Sequence, residues 1–145
     1  MKHRNFIFFS CLVLLGTTMI SIGNHKISNN NSFAQSYQEQ QTSVNLSLSD
    51  LDSPCILSIS SSPSETQLTG EISLNGQLIK SFTGHNNEIN LSPYLMSGQQ
   101  IISISGHYTP SHSSVKIELT GNSTHISQET GGSGQIKQQL IFNIQ

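Results

Sequence analysis

The chain predicts an all-β fold: a single β-sandwich, of jelly-roll or immunoglobulin-like type, with about eight short antiparallel strands. Three observations carry that expectation. Apolar residues recur with period two through most of the second half, as in Val115, Ile117 and Leu119 alternating with Lys116, Glu118 and Thr120. Turn signals interrupt these runs every ~8–12 residues. Nowhere does an apolar set recur at helical spacing for two turns.

From the N-terminal side, Val44, Leu46 and Leu48 alternate with Asn45, Ser47 and Ser49 and predict a half-buried strand over 44–48. Residues 50–54, with Asp50, Asp52 and Pro54, break it; 55–60 form a second strand and 61–64 a second break. Asn75-Gly76 between alternating runs is the strongest hairpin signal in the chain, because both central residues of a type I′ turn need positive φ. The returning strand runs to Phe82, residues 84–87 form a loop, and 89–91 a short strand. Ser92-Pro93-Tyr94-Leu95 fits one helical turn, capped by Ser92, with Tyr94 packing it onto the sandwich and Gly98 ending it. A strand over 101–105, a loop over 106–112, a strand over 115–120 and a weaker one over 124–130 follow. Gly131-Gly132-Ser133-Gly134 makes a flexible turn, and 135–144 a long final strand with Ile136, Leu140, Phe142 and Ile144 on one parity.

The N-terminus predicts export to a secreted or periplasmic location. Lys2, His3 and Arg4 precede an apolar run from Phe6 to Ile22, and Ser32-Phe33-Ala34 places small residues at −3 and −1 of a cleavage site before Gln35. Residues 1–34 are read as a signal peptide, 35–42 as a disordered lead-in and 43–145 as the β-sandwich domain. A retained anchor is the alternative, but the run is marginal for spanning a bilayer. An outer-membrane barrel fits poorly, since these runs are mostly shorter than membrane strands and tryptophan is absent.

After cleavage, three lysines (Lys80, Lys116, Lys137) stand against eight acids, a formal −5, and no arginine remains. Such a surface cannot grip phosphates, which argues against nucleic acid and anionic membranes as partners. Cys11 leaves with the signal. Cys55 is then alone; it shares strand parity with Leu57 and Ile59 and reads as a small buried apolar residue, with an intermolecular disulfide as the alternative.

Residues 72–106 combine the Asn-Gly hairpin, the Asn90-Leu91-Ser92-Pro93-Tyr94-Leu95 segment, a glycine stop and an isoleucine-rich strand. This stretch resembles the jelly-roll accessory domains of family 2 glycosidases and other galactose-binding-like modules. With Ser105-Gly106-His107-Tyr108-Thr109-Pro110, the chain is also similar to small secreted β-sandwich proteins of cyanobacterial type that have no assigned function. The resemblance implies a non-catalytic binding or accessory role. It transfers no catalytic or ligand residue, and the tryptophan of a sugar platform is missing.

No catalytic, cofactor or metal motif stands out. Asp50 and Asp52 sit where turn hydrogen bonds alone favour Asp, without calcium-loop spacing. His85, His107, His112 and His125 lack zinc-ligand spacing, and no Gly-x-Ser-x-Gly elbow is present. The best contact surface is Tyr94, His107 and Tyr108 with the loop Gly84-His85-Asn86-Asn87, since tyrosine's flat face and hydroxyl and asparagine's donor and acceptor suit sugars and peptides. His85, Asn86, Asn87, His107 and Tyr108 are the ligand-contact candidates. Two functions follow as expectations: an exported non-enzymatic module for carbohydrate or cell-envelope glycan, or an assembly protein using sheet edges, above all the C-terminal strand 135–144.

Overall fold

The computed structural model describes residues 39–145. The expected signal peptide and residues 35–38 of the lead-in lie outside the described residues. Nine strands follow in order: β1 (Gln40–Leu46), β2 (Ile56–Ser62), β3 (Gln67–Leu74), β4 (Gln77–Gly84), β5 (Asn86–Asn90), β6 (Gly98–Thr109), β7 (Ser114–Thr120), β8 (His125–Gly131) and β9 (Gln135–Ile144). A 3-10 turn, Leu48–Asp52, follows β1, and among the described residues there is no α-helix.

The strands form a five-stranded sheet ordered β1-β9-β6-β3-β4 and a four-stranded sheet ordered β5-β2-β7-β8, packed as a sandwich. Only β3–β4 and β7–β8 are hairpins; every other connection crosses between the sheets. The period-two pattern explains the packing. Leu68 and Ile72 of β3, Ile102, Ile104 and Tyr108 of β6, and Ile136, Leu140, Phe142 and Ile144 of β9 face inward and are buried. Leu57, Ile59, Val115, Ile117 and Leu119 meet them from the other sheet, with buried Cys55 just before β2.

Asn75 (φ 49°) and Gly76 (φ 83°) take the paired positive φ values of the expected type I′ hairpin. The tip is tied to the adjacent strand: Asn75 N donates to Ile101 O at 2.8 Å, and Ile101 N to Asn75 Oδ1 at 2.9 Å. The final strand also lies where its pattern places it.

Several expectations need correction. The first strand starts at Gln40, inside the expected lead-in, and ends at Leu46; Leu48 belongs to the 3-10 turn and is exposed. Not every pair is antiparallel, since β1 runs parallel to β9. β6 does not stop at Ser105; it continues to Thr109, because β9 supplies ladder partners as far as His107 and β3 as far as Thr109. Strand β5 starts at Asn86, so the loop of 84–87 shrinks to the Gly84–His85 junction. Finally, Leu95 and not Tyr94 anchors the 92–95 turn: Leu95 is buried and Tyr94 exposed. Ser92 does not cap that turn. Its hydroxyl donates to Ser53 O at 2.8 Å and accepts from Cys55 N at 2.9 Å, while Asn90 Oδ1 accepts from Ser92 N at 3.1 Å.

The C-terminal strand is not a free edge. β9 is flanked by β6 on one side and β1 on the other along nearly its whole length.

Candidate functional site

The outer face of the five-stranded sheet carries an extended set of polar side chains. Two cross-strand rows run over β4, β3, β6 and β9: Ser81, Glu71, Ser105 and Lys137 in one, Thr83, Thr69, His107 and Gln135 in the other. Between them lies the row Phe82, Gly70, Gly106 and Ile136, whose side chains, where present, point inward. The three rows line a shallow open concavity of about 400 Å³.

The glycine pair explains why the sheet dips there. A Cβ on Gly70 would come within 2.3 Å of Ser105 O and 2.5 Å of Phe82 Cζ. Phe82, directly opposite Gly70, therefore packs where a side chain would otherwise stand, and the strands approach closely. The ring fills the inner side of the sheet and leaves backbone and short polar side chains to the outer side. Eight polar side chains are thus presented from rigid strands rather than loops.

The five sequence-predicted contact residues do not converge. His107 is exposed and lines the concavity, between Thr69 and Gln135. Tyr108, its neighbour in sequence, faces the core at 2% exposure, and its hydroxyl accepts from Ser133 N at 3.2 Å. It is a packing residue, because the extension of β6 imposes alternation on a segment expected to be a loop. His85 lies at the β4–β5 junction, where its carbonyl accepts from Ser61 N at 3.0 Å. Asn86 is exposed on the edge strand β5, opposite Ser60. Asn87 is half-buried, and its Nδ2 donates to Thr83 O at 3.1 Å, which ties this rim to one end of a polar row. Thr69, Glu71, Ser81, Thr83, Ser105, Gln135 and Lys137 escape the sequence reading because they sit on four strands, of which β6 and β9 are neither hairpin partners of the others nor adjacent to them in sequence. Their outward parity was the available signal.

Asp50 is occupied with turn hydrogen bonds. Its Oδ2 accepts from Ser47 N and Ser47 Oγ, each at 2.8 Å, and its Oδ1 from Ser123 Oγ at 2.9 Å. These donors hold its carboxyl below the usual carboxylate range, the Ser47 backbone N–H most of all. Among the described residues, no three His, Cys, Asp or Glu side chains come together as a metal site. Cys55 is buried, and burial, with a smaller contribution from Asp50, pushes its thiol up to about 11. A thiol so protonated is a poor nucleophile.

The chain matches no family model, and no match to it was found among curated proteins or solved structures.

Proposed function

We propose that this protein is an exported, non-catalytic binding module whose ligand is a carbohydrate or cell-envelope glycan, held on the outer face of the five-stranded sheet. The observation that carries this reading is the double row of hydroxyl, amide, imidazole and charged groups across four strands over a dipped backbone floor. Sugars present hydroxyls that both donate and accept. Thr69, Thr83, Ser81 and Ser105 match them with hydroxyls, Gln135 with an amide, Glu71 with acceptors only and Lys137 with donors only. The low density of charge favours a neutral polyol over a phosphorylated ligand. The Ser32-x-Ala34 site behind an apolar run supports export.

A glycan array probed with residues 35–145 tests the reading. Binding to a defined set of glycans is expected, and it should fall about tenfold in Thr69→Val and Gln135→Ala, each of which removes hydrogen bonds worth about 1.4 kcal/mol. A chain that binds no glycan, or whose binding is untouched by both substitutions, removes this face from consideration.

A further inference from the structure

Strands β1 and β9 carry the same pattern. Residues 40–46 read Gln-Gln-Thr-Ser-Val-Asn-Leu and residues 138–144 read Gln-Gln-Leu-Ile-Phe-Asn-Ile. The two copies of Gln-Gln-x-x-Φ-Asn-Φ, where Φ is apolar, pair in parallel and residue for residue: Gln40 with Gln138, Gln41 with Gln139, Val44 with Phe142, Asn45 with Asn143, Leu46 with Ile144. Their amides form ladders on the outer face. Gln41 Nε2 donates to Gln139 Oε1 at 3.2 Å; Gln99 Nε2 donates to Asn143 Oδ1 at 3.2 Å, and Asn143 Nδ2 to Asn45 Oδ1 at 3.2 Å. In-register stacking of like amides and like apolar residues is the chemistry by which identical segments of different chains recognise one another.

Two further observations make β1 the strand most easily released. Among the described residues it pairs with β9 alone, so within them its other edge has no strand partner. The seam beneath its first half is polar and incompletely satisfied. Gln128 of β8 reaches Thr42 through Nε2, while Gln128 Oε1 and the Nε2 of Gln138 are buried without partners among the described residues. The contrast with Val44 and Leu46, which enter the apolar core, marks residues 40–42 as the weaker half.

From these observations we infer that the slot beside β9 takes any strand bearing the Gln-Gln-x-x-Φ-Asn-Φ pattern, and that in trans its occupant is β1 of a second copy of this chain. The repeat recognises sequence in register, not connectivity; the tether through residues 47–55 only raises the local concentration of the chain's own β1. At high protein concentration, or during refolding, β1 strands exchange between copies and give strand-swapped oligomers in which each slot is filled as in the monomer. This interaction is independent of the glycan-binding reading, since it uses the opposite side of β9 from β6, β3 and β4.

The test is cysteine trapping in the full chain. Asn45→Cys and Asn143→Cys together place two thiols at registered positions, in a background carrying Cys11→Ala and Cys55→Ala so that no other thiol can cross-link during refolding. After refolding under oxidising conditions, interchain disulfide-linked dimer is expected on non-reducing gels. Its fraction should rise about tenfold for a tenfold rise in protein while it remains the minor species, and excess peptide of residues 40–46 should suppress it. Asn45→Cys alone should not give peptide-sensitive dimer. A double variant linked only within its own chain at every concentration, or dimer indifferent to the peptide, overturns the inference. If the double variant does not fold, isotope-labelled and unlabelled unsubstituted chains are refolded together and examined by native mass spectrometry. Mixed dimers are expected, and monomers alone at every concentration overturn the inference equally.

Discussion

The β3–β4 hairpin and the β1–β9 pair show two ways of fixing strand register. In the hairpin the partners are joined by two residues, and the turn does the work: Asn75 and Gly76 accept positive φ, and pairing propagates from Leu74–Gln77 through a register shift at Ile72/Ser73. In β1–β9 the partners are 98 residues apart for the Gln41–Gln139 and Asn45–Asn143 pairs, and no turn exists to align them. Register there rests on side chains: apolar Val44 and Leu46 on the inner face beside Phe142 and Ile144, like amides on the outer. A turn is local and cheap to close; the terminal pair must overcome a long loop-closure entropy and forms only when the rest of the sandwich is in place.

Breaking the terminal side of this comparison should have the largest effect. Ending the chain after Gly134 removes Ile136, Leu140, Phe142 and Ile144, all at 2% exposure or less. Each such side chain is worth roughly 1.5–3 kcal/mol when buried, a sum comparable with the about 5–15 kcal/mol of a whole domain. It also strips β1 and β6 of their shared partner. No cooperative thermal transition should remain in circular dichroism. A truncated chain that still melts cooperatively would show that β9 is dispensable.

Next comes the centre of the large sheet. Gly70→Ala drives a Cβ into a backbone oxygen and the Phe82 ring, and overpacking that cannot relax through a side chain costs about 3 kcal/mol. Urea unfolding should show the midpoint fall. Gly76→Val tests the hairpin. Open space surrounds its Cβ position, so the whole effect is strain at φ +83°, about 2 kcal/mol. An unchanged melting temperature would mean that the turn does not set the register.

Two smaller effects sharpen the contrast. Asn45→Ala removes one exposed amide hydrogen bond and should cost about 0.5–1 kcal/mol, less than either glycine substitution. Cys55, at the end of the β1-to-β2 connection, reports opening of that region. Its folded-state thiol is raised to about 11, above its unfolded value, so the stability it contributes is complete below about pH 9 and is lost as pH rises toward 11. Thiol labelling at pH 8 should be slow and accelerate only with unfolding; fast labelling of folded protein would show that the β1 end opens readily.

Legibility in the sequence follows the same division. The Asn75-Gly76 hairpin, the strands 115–120 and 135–144 and the inward parity of Ile136, Leu140, Phe142 and Ile144 could be read directly, because turn chemistry and period-two alternation are local properties. The boundaries of β6 could not: Gly106, Thr109 and Pro110 look like loop residues, yet β9 carries the ladder to His107 and β3 carries it through to Thr109. Tyr108 was misplaced for that reason. The candidate site was legible at one residue in particular, His107, and otherwise only as outward parity, since which strands lie side by side depends on six crossings between sheets. The Gln-Gln-x-x-Φ-Asn-Φ repeat was present in the letters and could have suggested the β1–β9 pairing.

What the sequence by itself determined is the class of the fold, the faces of most strands and the hairpin, all consequences of residue-by-residue stereochemistry. Only the tertiary structure decided that the chain's first described strand lies parallel to its last, that Phe82 occupies the space left by Gly70, and that polar residues from four strands meet over one concavity. Those arrangements depend on long-range pairing, whose free energy comes from burying a shared core and is not encoded in any single segment.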